Sequence, residues 1–293
     1  MPHVQELVDL LRLEAIGVNR FRGQCQDLGF KNLFGGQVLG QTLSAASQTL
    51  PAGEWAPHSL HAYFLRPGNV IDSLEFEVDC VRDGRSFAVR QITASQNGKA
   101  ILTMMASFQH PEEGFEHQDK MPDVQGPEGL ASQLELTRMF KDKFPERLRD
   151  IYTADKPIEI RAIDPINIFA PKKQDPIKYV WMKTDAPLAD DPMLHANVLT
   201  YATDFNLIGT SMMPHGVSFA QRDMQVASLD HAIWFHRPIK FDDWLLYALD
   251  SPSASSGRGF CRGQIFNQQG ELVASVAQEG LIRHIDIAEN KQK

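Results

Sequence analysis

The chain has 293 residues, of which 43% are hydrophobic and 23% charged, and its formal net charge at pH 7 is −8. This length suits two domains of ordinary size, and the composition is typical of a soluble globular protein. The negative charge argues against a nucleic-acid-binding protein, which usually carries a basic face. No apolar run approaches the roughly 18 residues that a membrane helix needs.

The N-terminal stretch "MPHVQELVDLLRLEAIG" predicts an amphipathic helix. It carries acids within its apolar positions and has no basic start followed by a small-residue cleavage site, so it does not resemble a signal peptide. The C-terminal "ENKQK" is neither an anchor nor a peroxisomal signal. Cys25, Cys80 and Cys261 are an odd number of widely spaced cysteines, which argues against a disulfide framework and a zinc site. We therefore expect a cytoplasmic protein.

The first half of the chain predicts one helix followed by antiparallel strands. The helix follows Gly35 and Gly36 in "FGGQVLGQTLSAASQTL", where glycines permit a close backbone approach. A strand ending in Arg-Pro comes next, "HSLHAYFLRP". A hairpin then turns at Asn97-Gly98, since glycine supplies the positive φ that tight hairpins need.

A connector joins the two halves. Residues 110–157 combine prolines, many charges and one amphipathic stretch around 130–148. This composition predicts a long connecting segment without a core of its own.

The second half repeats the pattern. Its helix is predicted from about Pro192, which suits a first helical turn, to Ile208. On a 3.6-residue period Asp204 falls on the flank of the apolar stripe, where a carboxylate is costly unless it is paired or used. The strand "ASLDHAIWFHRP" again ends in Arg-Pro, and the last hairpin turns at Gln269-Gly270.

The two halves match at offsets of 170 residues for His61 and His231, 171 for Arg66 and Arg237, and 172 for the hairpin glycines. A drift this small indicates a duplicated domain. We expect an N-terminal domain at 1–115, a connector at 116–156 and a C-terminal domain at 157–293. One helix wrapped by an antiparallel sheet, present twice, predicts an α+β tandem hotdog fold.

A family resemblance extends over nearly the whole chain, from about residue 11 to residue 283. The chain resembles the bacterial acyl-CoA thioesterase II family and its peroxisomal relatives in a series of blocks in the same order: "FRGQCQDLGFKNLFGGQVLGQ", "HSLHAYFLRPG", "VRDGRSFAVRQ", "ASFQ", "DHAIWFHRP", "WLLY", "SASSGRGFCRG" and "VASVAQEG". The resemblance implies hydrolysis of fatty acyl-CoA to free acid and CoA, with no cofactor and no metal.

The resemblance also implies three catalytic residues. Asp204 in "DFN" would orient and polarise the attacking water, and Ser228 and Gln278 would complete a hydrogen-bond network around it. Relatives commonly carry threonine at the position of Ser228. The change keeps the hydroxyl but loses the methyl group that stiffens χ1. No G-x-S-x-G elbow is present, so the sequence does not predict a covalent serine intermediate.

Candidate substrate-binding residues are Gly35 and Gly36, whose backbone N–H groups could approach the ligand at a helix start, and three arginines of the second half. Arg237, Arg258 and Arg262 lie close together in sequence and could meet the CoA phosphates. Solvated charges at strand edges are the simpler interpretation of each arginine taken alone.

Three other patterns are set aside. If Ser228, Asp230 and His231 occupy one regular strand, His231 faces the opposite side and no triad forms. The same alternation separates His58 from His61 and removes a metal pair. The segment "FGGQVLGQ" lacks the G-x-G-x-x-G spacing of a dinucleotide site.

Two alternative functions remain open. A hotdog hydratase or dehydratase also binds acyl-CoA but needs a histidine and an acid, and the helix offers only His195 at its start. A non-catalytic acyl-CoA-binding protein is the other alternative. Hotdog sheets usually leave surfaces that pair, so we expect a homodimer or homotetramer.

Overall fold

The computed structural model describes residues 3–285, which form two similar halves. Each half carries one long helix against an antiparallel sheet. The helices are α1 His3–Leu11, α2 Gly35–Ser47, α3 Gln133–Met139, α4 Glu146–Thr153, α5 Pro192–Ala202 and α6 Leu207–Thr210. The strands are β1 Glu14–Gly17, β2 Arg20–Gly23, β3 Ala56–Phe64, β4 Leu74–Asp83, β5 Phe87–Gln96, β6 Lys99–Gln109, β7 Ile158–Ala162, β8 Ile177–Thr184, β9 Met224–Ser228, β10 Asp230–Phe235, β11 Leu245–Ser255, β12 Arg258–Asn267 and β13 Leu272–His284.

One continuous sheet runs through both halves in the order β1-β2-β4-β5-β6-β3-β10-β13-β12-β11-β8-β7, with β9 pairing the far part of β13. The halves meet where β3 pairs antiparallel with β10, and His61 lies opposite Ala232 while Ala62 lies opposite His231. The predicted tandem hotdog fold is confirmed.

The two long helices pack against each other on the inner side of the sheet, and glycines of α2 make this approach possible. A Cβ on Gly36 would collide with the carbonyl oxygen of Tyr201, and one on Gly40 would lie 3.1 Å from the carbonyl oxygen of Asn197. The first helix therefore lies backbone-close to the second, and its N-terminus meets the C-terminal end of α5.

Matching hydrogen bonds in the two halves reveal the duplication. The backbone N–H of Arg66 donates to Ile101, and that of Arg237 donates to Val273. These pairs keep the offsets of 171 and 172 residues. The predicted match of His61 with His231 is wrong, however, because His61 is exposed on the outer face and His231 is buried on the inner face. An offset of 170 residues shifts the alignment by one, which exchanges the two faces of a strand.

The connector forms two short helices, α3 and α4, rather than one amphipathic stretch. A Lys141–Lys143 3-10 turn separates them. The connector also covers the outer face of β8, β11 and β12, where Trp181 and Phe266 belong to a small second apolar cluster. Gln118 fastens it by donating to the Gly270 carbonyl and accepting from the Leu272 N–H. The segment therefore shields apolar sheet surface, which its composition did not reveal.

Within residues 3–285, no helix is both long and apolar enough to span a membrane. Cys25, Cys80 and Cys261 are free thiols.

Gly36→Ala tests the helix contact. The added Cβ must push apart two backbones, so we expect a loss of about 1–3 kcal/mol in the free energy of unfolding, measured by urea denaturation. Gly114→Ala is the matched control, because a Cβ there meets no atom within 4 Å. Equal stability of the two variants would contradict the backbone contact.

Candidate active site

Asp204 lies just beyond the end of α5. The helix ends at Ala202, and the N–H of Phe205 turns back to the carbonyl of Ala202. Asn206 has φ 68°, in the left-handed region, which breaks the helical track before α6 begins. The predicted helix through Ile208 is thus wrong in its last turns, and Asp204 is a turn residue rather than a helix-flank residue.

The carboxylate of Asp204 is held by the two predicted partners. Its Oδ1 accepts from Nε2 of Gln278 at 2.8 Å and from Oγ of Ser228 at 3.3 Å. Burial raises the pKa of Asp204, while these two hydrogen bonds and the backbone N–H of Gly36 act in the opposite direction. A carboxylate whose desolvation outweighs its hydrogen bonds is a stronger base than an exposed one.

Ser228 reaches the site because the chain bulges after it. Ser228 pairs with Gly280, and Ala232 pairs with Ala277. Between these two pairs the chain of β9 and β10 advances four residues, whereas β13 advances three. The extra residue shifts the alternation. Ser228 and His231 therefore both face the interior, and the expectation that they point to opposite faces is wrong. Asp230 does not join them, since its Oδ1 accepts the backbone N–H of Glu279.

His231 was not predicted as a site residue, although it contacts one. It is 1% exposed, its Nδ1 lies 3.3 Å from Nε2 of Gln278, and its Nε2 lies 3.0 Å from Oγ1 of Thr203. Burial lowers the pKa of His231 to about 3. The histidine is consequently neutral at physiological pH.

Two further residues hold the turn that carries Asp204. Tyr247 donates its hydroxyl to the carbonyl of Thr203 at 3.0 Å, and Lys178 donates to Oδ1 of Asn206 at 2.6 Å. Burial lowers the pKa of Lys178 to about 8. A lysine on the inner side of a strand, in step with Val180 and Met182, was the sequence signal for this contact.

The first half contributes the start of α2. A Cβ on Gly35 would lie 2.7 Å from Oδ2 of Asp204, so only glycine leaves room for the carboxylate. Beside it, the rings of Phe34 and Phe205 stack at 4.3 Å. The predicted Gly35 and Gly36 thus meet the catalytic candidate directly, and an apolar wall adjoins it.

The three candidate arginines do not form one cluster. Arg258 pairs with Glu279 at 2.9 Å and Arg262 with Asp250 at 3.0 Å on the outer face of β12. Arg237 donates to the carbonyl of Leu272, at the opposite end of β13 from Arg258. This arrangement does not support a joint phosphate site.

The remaining histidine candidates lie elsewhere. His58 and His61 are both on the outer face, contrary to expectation, because a bulge between Pro57 and Ser59 shifts the alternation. They take separate partners: His58 contacts Ser107 at 2.7 Å, and His61 lies edge-on to Trp234. Across residues 3–285, no group of three His, Cys, Asp or Glu side chains is arranged to hold a metal ion.

Comparison with known proteins decides the family. A model described as acyl-CoA thioesterase matches residues 148–281, and one described as the acyl-CoA thioesterase N-terminal domain matches residues 25–109. Acyl-CoA thioesterase 2 of Haemophilus influenzae is 42% identical over 280 residues, which cover 96% of this chain and 98% of the relative. The chain belongs to the acyl-CoA thioesterase II family. It is accordingly a member of a family of thioester hydrolases.

More distant relatives agree over similar lengths. Human acyl-coenzyme A thioesterase 8 is 34% identical over 282 residues, covering 94% of this chain and 88% of the relative. The crystal structure of acyl-CoA thioesterase II TesB2 from Mycobacterium marinum is 38% identical, superposes with a TM-score of 0.77, and covers 96% of this chain and 98% of that one. The human relative and the mycobacterial structure therefore each match both halves of this chain.

The raised pKa of Asp204 predicts a pH-dependent stability difference. A carboxyl whose pKa is higher in the folded state makes stability fall as the pH rises from the unfolded to the folded pKa. Asp204→Asn abolishes this loss. We therefore expect the variant's free energy of unfolding, relative to that of the parent, to be larger at pH 7 than at pH 4, which means that the variant gains stability.

Asp190→Asn is the control for this measurement, since Asp190 is exposed near the start of α5. Urea denaturation at both pH values measures the difference. A relative gain for Asp204→Asn that shrinks between pH 4 and pH 7 would contradict a buried, reluctantly ionised carboxyl.

Proposed function

We propose that this chain hydrolyses fatty acyl-CoA to free fatty acid and CoA with a water molecule held by Asp204, Ser228 and Gln278. The contact of both Ser228 and Gln278 with one carboxylate oxygen is the observation that carries the proposal. The site is built wholly from side chains and backbone, and the proposed reaction needs no cofactor. Three free thiols are consistent with a proposed cytoplasmic location.

Gln278 is proposed to orient the water as an acceptor. Its amide nitrogen already faces Asp204 and His231, whereas its buried Oε1 has no hydrogen-bond partner among residues 3–285. An unsatisfied buried acceptor is costly and is explained when a ligand donates to it. One water O–H would donate to this Oε1 and the other to Asp204, which directs an oxygen lone pair at the thioester.

Asp204 is proposed to move the proton. As the water oxygen bonds to the acyl carbon, Asp204 takes one water proton as general base. The C–S bond of the tetrahedral intermediate then breaks, and the same proton passes from Asp204 to the departing CoA sulfur. Water adds its hydroxyl to the acyl group and its hydrogen to the thiol, so no covalent enzyme intermediate is required.

The start of α2 is proposed to stabilise the developing oxyanion. The first N–H groups of a helix lack intrahelical partners and carry a partial positive charge. Gly35 and Gly36 leave this end uncovered by side chains, directly beside Asp204. Since the Gly36 N–H already interacts with Asp204, the neighbouring N–H groups of this first turn are the ones proposed to face the oxyanion. Phe34 and Phe205 offer an apolar wall for the acyl chain next to the reacting carbon.

A hydratase is supported less well by the same geometry. His195 is buried at the start of α5, where its Nδ1 accepts the N–H of Phe241. His231 lies nearer to Asp204, but both of its ring nitrogens already have protein partners. The partners of His231 leave neither of its ring nitrogens free for an enoyl substrate, and His195 is engaged through Nδ1 with the backbone of Phe241.

Asp204→Asn tests the reaction. Removing the general base should lower kcat on the order of 10²-fold or more, followed as free thiol released from an acyl-CoA chain-length series. Asp190→Asn should match the parent. Full activity of Asp204→Asn, or hydration of an enoyl-CoA without thiol release, would contradict the proposal.

We also propose that two copies of the chain pair through the bare centre of the outer sheet face. Tyr63, Met105 and Trp234 are exposed there by 62%, 45% and 38%. On one side of them the surface is charged, with Arg22 paired to Glu75, and on the other the connector covers the sheet. An apolar patch between a charged flank and a covered flank is typical of an interface.

Trp234→Glu tests this face. Sedimentation velocity should give a dimer or tetramer of the 32.9 kDa chain for the parent and a shift toward monomer for the variant, because a buried unpaired charge opposes association. Phe115→Glu, in the exposed connector, should leave assembly unchanged. A monomeric parent would contradict the proposal.

A further inference from the structure

His231 is a buried titratable residue that takes no part in the proton transfer described above. It lies on the inner face of β10, directly beside the seam between the halves. Both ring nitrogens are within hydrogen-bond distance of polar side chains, Thr203 on one side and Gln278 on the other. A buried histidine with two defined partners has a defined tautomer.

The hydrogen bonds fix where the imidazole proton lies. Thr203 donates its only hydroxyl hydrogen to the carbonyl of Thr200 at 2.9 Å. With its hydrogen used in this way, the Thr203 oxygen acts as the acceptor for His231, an arrangement that has the ring hydrogen on Nε2. The neutral ring then presents a bare Nδ1 to the amide nitrogen of Gln278.

This acceptor and the Asp204 carboxylate together favour one orientation of the Gln278 amide. The NH₂ group has two hydrogens, one for Oδ1 of Asp204 at 2.8 Å and one for Nδ1 of His231 at 3.3 Å. With a hydrogen on Nδ1 instead, the ring would repel the NH₂ group. The flipped amide would then turn its oxygen toward the carboxylate, and the acceptor for the water would be lost.

We infer that His231 is a positioning residue, which holds the Gln278 amide with its nitrogen toward Asp204 and its oxygen toward the attacking water. The inference rests on the proposed hydrolysis. It makes His231 act through Gln278, without touching substrate. A series of hydrogen bonds thereby links the end of α5 to β10, β13 and the turn after the helix. It runs through Thr200, Thr203, His231, Gln278 and Asp204.

Leu60 provides an internal comparison. At the offset of 171 residues it matches His231, and its apolar side chain is 0% exposed in β3. An apolar residue therefore satisfies the packing at this buried strand position in the first half. The histidine of the second half adds the contacts with Thr203 and Gln278, which an apolar side chain cannot make.

Two substitutions at His231 separate positioning from packing. His231→Asn keeps an acceptor near the Nδ1 position, whereas His231→Leu fills the space without one. We expect His231→Leu to lower kcat by roughly tenfold to a hundredfold with KM changed by less than about twofold, because the reacting water loses its orientation. His231→Asn should recover most of kcat, and His61→Leu should match the parent.

The tautomer supplies a readout that does not depend on activity. In ¹⁵N-histidine spectra of the full chain, His231 should carry its hydrogen on Nε2 and stay neutral from pH 5 to pH 9. Thr203→Val removes the acceptor for that hydrogen, so we expect a mixture of tautomers and an intermediate kcat. This variant also serves if His231→Leu does not fold.

A parent with the hydrogen on Nδ1, or with a charged ring at neutral pH, would overturn the inference. Equal kcat for His231→Leu and the parent, or equal losses for folded Leu and Asn variants, would do the same. Asp204→Asn in the same assay separates the two failures. If Asp204→Asn stays active, the hydrolytic proposal fails. If Asp204→Asn is inactive while His231→Leu keeps the kcat of the parent, only the role of His231 fails.

Discussion

The desolvation of one carboxylate, that of Asp204, governs the arrangement around it. A carboxylate withdrawn from water costs free energy unless hydrogen bonds replace the lost solvent. Ser228 and Gln278 supply two such bonds, and the N–H of Gly36 adds a third favourable interaction. These contacts only partly offset the burial, so the pKa stays raised, as the proposed general base requires.

The same requirement explains why both halves of the duplication are needed. The second half supplies the acid, the hydroxyl and the amide, whereas the first supplies α2, whose glycines let a helix N-terminus touch the carboxylate. The continuous sheet across β3 and β10 holds the two parts in register. The proposed site therefore uses residues of both halves, and it is present once in each chain.

Much of this arrangement could be predicted from the sequence. The glycines at Asn97-Gly98 and Gln269-Gly270 predict the two hairpins because glycine tolerates positive φ, and the repeated strand pattern predicts the tandem fold. Asp204, Ser228 and Gln278 came from family resemblance, because nothing in the residue pattern alone distinguishes a surface glutamine from a buried one.

The strand errors share a physical cause. A strand pattern assumes strict alternation, and single-residue bulges near Leu229 and His58 reverse the faces of every residue beyond them. The apolar period predicts a helix past Ala202 because the period itself continues. In the structure α5 ends at Ala202, and the left-handed Asn206, held by Lys178, keeps it from running on into α6. His231 was missed for a related reason: its contacts are with residues distant in sequence.

The pH dependence of kcat/KM for the parent is the most direct measurement of the central claim, because it reports ionisations of the free enzyme. An Asp204 base with a raised pKa predicts an acid limb whose midpoint lies above the ordinary aspartate value of about 3.9. A rate that stays constant as the pH falls through 4 would contradict the account.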